Sequence, residues 1–121
     1  MPIKNITVLE TLATVYHGVI PAFQDLNYPA LFKSIMNLNN CGFKKIEVNL
    51  QSKQTKKFIK LCWRNNIVCG LSSFGPITFS IINDEYNYEY FLLNEAKKIG
   101  LEYLGNFGFN NNGVICKKIK E

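Results

Sequence analysis

The stretch Cys69-Gly70-Leu71-Ser72-Ser73-Phe74-Gly75-Pro76-Ile77-Thr78-Phe79-Ser80 joins two short β-branched and aromatic runs through a compact set of Gly, Ser and Pro. The connection is too short for anything but a tight reversal, so Ile67 to Leu71 and Pro76 to Ile82 read as an antiparallel hairpin. Gly70 and Gly75 tolerate positive φ and a close backbone approach, while Ser72 and Ser73 offer hydroxyls and backbone N–H groups. Such a loop can cradle a phosphate, or it can simply reverse the chain. The pattern is not a Walker A motif, so these residue types leave both readings open.

Outward from the hairpin, the flanking segments are helical. Gln54 to Asn66 carries Phe58, Ile59, Leu61 and Cys62 inward, with Trp63 near its end and Asn65-Asn66 as the exit. On the other side Asp84 is a candidate cap for a helix running to Ile99, with Asp84 and Glu85 at its positive end, Lys97 and Lys98 at its negative end, and Gly100 as the stop. Its apolar face is Tyr88, Phe91, Leu92, Ala96 and Ile99.

Nearer the start, Thr7 and Glu10 are a candidate capping box, and Val8, Leu9, Leu12, Val15, Tyr16, Val19 and Ile20 recur at helical spacing. Pro21 predicts an end to that helix near Gly18 to Ile20. A second helix begins near Asn27, tolerates Pro29 in its first turn, buries Leu31, Phe32, Ile35 and Leu38, and stops at Gly42. Phe43, Ile46, Val48 and Leu50 alternate imperfectly, as in a strand with one wet face. The closing segment, with Asn112-Gly113 as a turn, reads as a second hairpin. The fold class expected is therefore α+β: a two-layer sandwich of mostly antiparallel sheet with the helices on one face, formed by residues 1–121 as one domain.

The chain has 121 residues and a formal charge of +5, a modest excess that favours anionic partners. Much of it lies at Lys44, Lys45, Lys53, Lys56, Lys57 and Lys60, opposed locally by Glu47 alone; a solvated helix face competes there with a phosphate or RNA surface. Cys41, Cys62, Cys69 and Cys116 are irregularly spaced and read as reduced core residues, with no metal and no cofactor implied. No apolar run approaches the ~20 residues of a bilayer span and no signal-peptide pattern opens the chain, so the expected location is the cytoplasm, without a membrane partner.

The loop Gly70-Leu71-Ser72-Ser73-Phe74-Gly75-Pro76, followed by Ile77, Thr78 and Phe79, resembles the third conserved motif of archaeal β-ribofuranosylaminobenzene 5′-phosphate synthases, members of the GHMP kinase superfamily. Ile77 stands where that family usually has threonine. Pro21, Ala22 and Asp25 are similar to a family segment between helices, and Asn112-Gly113 to its closing turn. The resemblance implies a GHMP C-terminal, ferredoxin-like domain that places Gly70, Ser72, Ser73, Phe74, Gly75, Pro76 and Asp25 at a phosphosugar site. It also implies that the family's N-terminal Pro-x-x-x-Gly-Leu-Gly-Ser-Ser phosphate loop lies outside this chain. The family joins 4-hydroxybenzoate or 4-aminobenzoate to phosphoribosyl diphosphate, losing carbon dioxide and diphosphate, early in methanopterin biosynthesis. A subunit or remnant of such an enzyme would need a partner N-terminal half, or self-association, to cover an exposed apolar patch.

Other catalytic candidates are weak. His17, the one histidine, reads as a polar residue at a helix end, and Asp25 can cap the second helix as readily as orient a substrate. Ser72 and Ser73 have no evident base, and Cys69 has no flanking cation to make it reactive. Catalytic residues are therefore unassigned, and activity of the chain alone is not expected. The alternative is a non-enzymatic module binding RNA or an anionic metabolite, with Trp63 beside Arg64 as its nearest aromatic; outside that alternative a phosphosugar is the expected ligand and nucleic acid is not an expected partner.

Overall fold

The computed structural model describes residues 5–72 and 75–108, apart from the side chain of Phe43. Its elements run α1 (Asn5–Thr14), a π-helical turn (Val15–Val19), α2 (Ile20–Gln24), α3 (Tyr28–Asn39), α4 (Gly42–Asn49), α5 (Lys53–Arg64), β1 (Val68–Leu71), β2 (Thr78–Ile81) and α6 (Glu89–Ile99). The class is α+β. Among the described residues the sheet is one antiparallel pair, with Val68 opposite Ile81 and Leu71 opposite Thr78.

The expected hairpin is present, but helices cover both of its faces rather than one. All four residues of β1 are buried, which a strand with one wet face cannot achieve. Ile67, Cys69 and Leu71 join a cluster with Val48 of α4, Phe58, Ile59 and Cys62 of α5, and Phe91 and Leu92 of α6. Val68 points the other way, into Ala22, Tyr28 and Leu31, with Ile81 beside them. The period-2 alternation of β1 thus feeds two separate helix layers.

Two helix boundaries and one element type depart from the sequence expectation. Pro21 does not end the first helix. The preceding turn widens instead, the Ile20 N–H reaching the Val15 carbonyl five residues back, and the helix continues to Gln24. A proline ring collides with the carbonyl four residues before it, and a π turn is one way of making room. Gly18 lies in that turn; a Cβ there would stand 2.5 Å from Ser34 Oγ of α3, so glycine lets the two helices approach without displacing that hydroxyl. The run Asn5–Gln24 is consequently 20 residues long, apolar and long enough to cross a bilayer by length and composition, and almost none of it is buried.

Residues 42–49 form a helix, not a strand. Ile46, Val48 and Leu50 would share one face of a strand, yet Val48 is buried while Leu50 is 78 % exposed. About half a helical turn, roughly 200°, separates them, and Lys44 and Glu47, three residues apart, pair at 3.3 Å across the helix surface. Finally, Asp84 caps nothing: α6 begins at Glu89, whose N–H is held by Asn87 Oδ1, and Asn83 Oδ1 receives the Tyr86 N–H in the preceding bend. Gly100 does stop α6, at φ +95°. Residues 101–108 contain no strand; Asn112-Gly113 and the rest of the expected second hairpin lie outside the described residues.

The α3 layer is fastened to the hairpin by Tyr28. Its hydroxyl donates to the Ile81 carbonyl at 2.6 Å and accepts the Val68 N–H at 3.0 Å, bridging the two strands at their open end. The ring stacks on Tyr86 at 4.6 Å and meets Tyr88 at 6.4 Å. Burial raises the Tyr28 phenol above its ordinary 10.0. Above pH 10 the unfolded chain therefore releases this proton while the folded chain keeps it, so the stability it contributes is complete below pH 10 and declines as pH rises through the folded value. Tyr28→Phe is expected to cost about 1–3 kcal/mol at neutral pH, through the unpaired Val68 and Ile81 groups, and to flatten the alkaline decline. Urea denaturation of both proteins between pH 7 and pH 11 measures each effect.

Candidate functional site

The glycine-serine loop closes on its own backbone. Ser72 N–H donates to the Ile77 carbonyl at 2.9 Å, extending the ladder by one pair, and Gly75 N–H donates to the Ser72 carbonyl at 3.0 Å. Pro76 has no N–H. The amides of residues 72 and 75 are thus committed internally, and the expectation that Ser72 offers a free backbone donor to phosphate is corrected. Ser73 and Phe74, the other two residues assigned to a ligand, lie outside the described residues.

The two glycines have different tasks. Gly70 is an ordinary buried strand residue: a Cβ there would meet the Phe79 ring at 3.2 Å and Asn39 Oδ1 at 3.4 Å, so its lack of a side chain serves packing across the hairpin. Gly75 holds φ at +79°, and a Cβ there would lie 2.7 Å from Gln51 Oε1. The loop therefore rests against the end of α4.

Asp25 is not brought to this loop. It is exposed at the C-terminal end of α2, and Asn27, whose Oδ1 accepts the Ala30 N–H, caps α3 in its place. That corner lies beside Tyr28, at the open end of the hairpin, whereas Ser72 to Ile77 lies at the closed end. The length of the strands, about 13 Å for four residues, stands between the two ends. His17 is exposed on the π turn, and among the described residues no histidine or carboxylate is hydrogen-bonded to the Ser72 hydroxyl.

The thiols beside the loop are equally unsuited to chemistry. Cys62 and Cys69 are fully buried. Hydrogen bonding to Cys62 and burial push the Cys69 thiol well above its ordinary range, and the same hydrogen bond draws Cys62 down. Ser80 Oγ stands 3.9 Å from Cys62 Sγ. Reactivity needs solvent access as well as a thiolate, and this pair lacks access. Among the described residues there is no cluster of His, Cys, Asp or Glu able to hold a metal.

What sequence periodicity did not reveal is the groove alongside the loop. A cavity of about 520 Å³ opens between α1, α3, α4 and the hairpin, lined by Val8, Leu12 and Val15 on one wall, Ile35 and Leu38 on the other, with Leu71 and Phe79 at its base. Leu71 immediately precedes Ser72, so the groove leads directly to the foot of the loop. Ile6 and Leu9, at 62 % and 65 % exposed, add apolar surface on the other side of α1. The heptad-like spacing of α1 signalled an apolar face; that no described element covers it was invisible without the fold.

No family model, curated protein or solved structure matches this chain. Function must therefore be argued from the groove and the loop. The loop geometry makes one direct forecast: Gly75→Ala forces a left-handed alanine against Gln51 and is expected to cost about 1–2 kcal/mol of stability. Removing the clash with Gln51→Ala in the double variant should recover only part of it, because the φ penalty persists; thermal melts of the three proteins separate the contributions.

Proposed function

We propose that this chain is the C-terminal, GHMP-type half of a two-polypeptide cytoplasmic enzyme similar to the β-ribofuranosylaminobenzene 5′-phosphate synthases. In this reading its helix–hairpin–helix portion, α5 to α6, is the chain's share of a ferredoxin-like fold. The Ser72 to Ile77 loop borders a phosphosugar site, and the phosphate loop and catalytic groups come from the partner that seats on the groove. The observation that carries this reading is the open apolar groove ending at the foot of the loop. A helix with an uncovered apolar face loses roughly 25 cal/mol for each Å² it leaves in water, so a partner that covers the groove gains that burial.

The closed hydrogen bonding of the loop fits a supporting wall better than an autonomous phosphate cradle. Substrate contacts made by Ser72 would come from its hydroxyl, since its N–H is already used. Asp25, at the far end of the strands, would serve such a site only through the partner.

The test is native purification with mass determination by light scattering, followed by sequencing of any co-eluting chain. The expected result is a one-to-one complex with a polypeptide carrying Gly-Leu-Gly-Ser-Ser, and release of labelled carbon dioxide from carboxyl-labelled 4-hydroxybenzoate and phosphoribosyl diphosphate by the complex only. Val8→Glu/Leu12→Glu, at two partly exposed positions of the groove wall, should abolish both while leaving the melting temperature of the isolated chain within a few degrees. A monomer or homodimer without such a chain, or capture of α1 by neutral phosphatidylcholine vesicles in flotation, overturns the reading.

A further inference from the structure

The cations of α5 are not scattered. Lys53, Lys57, Lys60 and Arg64 fall at i, i+4, i+7 and i+11, one row along a single helix face about 16 Å long. The opposite face is the buried row Thr55, Phe58, Ile59 and Cys62, so the cationic row is directed away from the core, and all four of its members are exposed. Against it lies α6, and the seam between them is a shallow cavity of about 250 Å³ lined by Lys57, Lys60, Leu61, Arg64, Glu95, Lys98 and Ile99. Its one carboxylate, Glu95, is engaged by Lys98 at 3.3 Å. Among the described residues the four row members form no ion pair. The face is therefore a concentrated positive strip with little internal neutralisation.

We infer that this strip binds the phosphate backbone of single-stranded RNA without reading its sequence. A single row of point charges follows one strand, and lysine contacts phosphate as a charge with no demand on base identity. The aromatic nearest the row adds no base contact: Trp63 is half-buried, packed on the core, with Nε1 donating to the Cys69 carbonyl at 3.3 Å, so it offers no platform for base stacking and binding rests on the charges alone. The strip belongs to the α5–α6 layer, on the opposite side of the hairpin from the apolar groove, and so this inference stands apart from the docking reading.

The test uses the full chain and fluorescein-labelled U20 RNA, followed by anisotropy from 50 to 300 mM salt. With three to four phosphates neutralised, the slope of log affinity on log salt is expected near −2 to −3, from about −0.7 per contact. Lys57→Glu/Lys60→Glu should weaken binding at least about tenfold at 100 mM salt, whereas Lys33→Glu/Lys45→Glu, with the same change in net charge on other helices, should stay within about threefold. Equal losses in the two double variants would show attraction to net charge alone and overturn the site. So would absence of binding at 50 mM salt, or displacement of the RNA by equimolar tripolyphosphate, which would mark a compact oligophosphate pocket instead.

Discussion

The fold hangs on the hydroxyl of Tyr28. A two-stranded hairpin is marginal by itself in water. Here a side chain from α3 spans both strands at the end where no turn holds them, donating to one and accepting from the other. The stacked Tyr86 ring fixes the angle of Tyr28, and the same contact brings residues 86–88 over the α3 layer before α6 crosses to the other side. One phenol thus orders the open end of the sheet, the seat of α3 and the path into α6.

From that arrangement follow two surfaces of opposite character. The α1–α3 side of the hairpin is apolar and incompletely covered; the α5–α6 side is closed over its core and cationic outside. The asymmetry arises from how each helix distributes its apolar residues. In α5 they occupy a narrow stripe, leaving a whole face to lysine. From α1 through the π turn they extend around the helix, so partly covering Val15 against α3 still leaves Leu9 and Tyr16 in solvent.

Much of this was legible in the residues. Asn27 marked the start of α3 and accepts the Ala30 N–H there, and Ser52, which the sequence reading passed over, caps α5 in the same way by accepting the Thr55 N–H. The hairpin followed from β-branched runs around a short glycine-rich link, and Gly100 ended α6 as its position implied. The failures share a physical origin in contacts distant along the chain. Pro21 reads as a terminator until the close packing of Gly18 on Ser34 rewards a continuing helix. Apolar residues at 43, 46, 48 and 50 satisfy a strand and a helix alike, and only the depth of Val48 against Leu50 decides between them. One-sided helix packing was the natural inference from the element order, but the full burial of β1 requires cover on both sides. At the site, glycine and serine marked the loop, while the backbone bonds that close it left no trace in composition.

The Cys69 carbonyl has a consequence beyond local satisfaction. The Ser72 to Ile77 bond sets the alternation of the ladder, so Cys69 falls at a non-hydrogen-bonded position and its carbonyl is directed away from β2. Asn39 Nδ2 from the α3 layer and Trp63 Nε1 from the α5 layer both occupy it, at 3.1 and 3.3 Å. The free edge of β1 is thereby sealed against pairing with another strand. In mechanical terms the oxygen is a rivet through three plates: neither helix layer can slide along the strand without releasing the oxygen that holds the other.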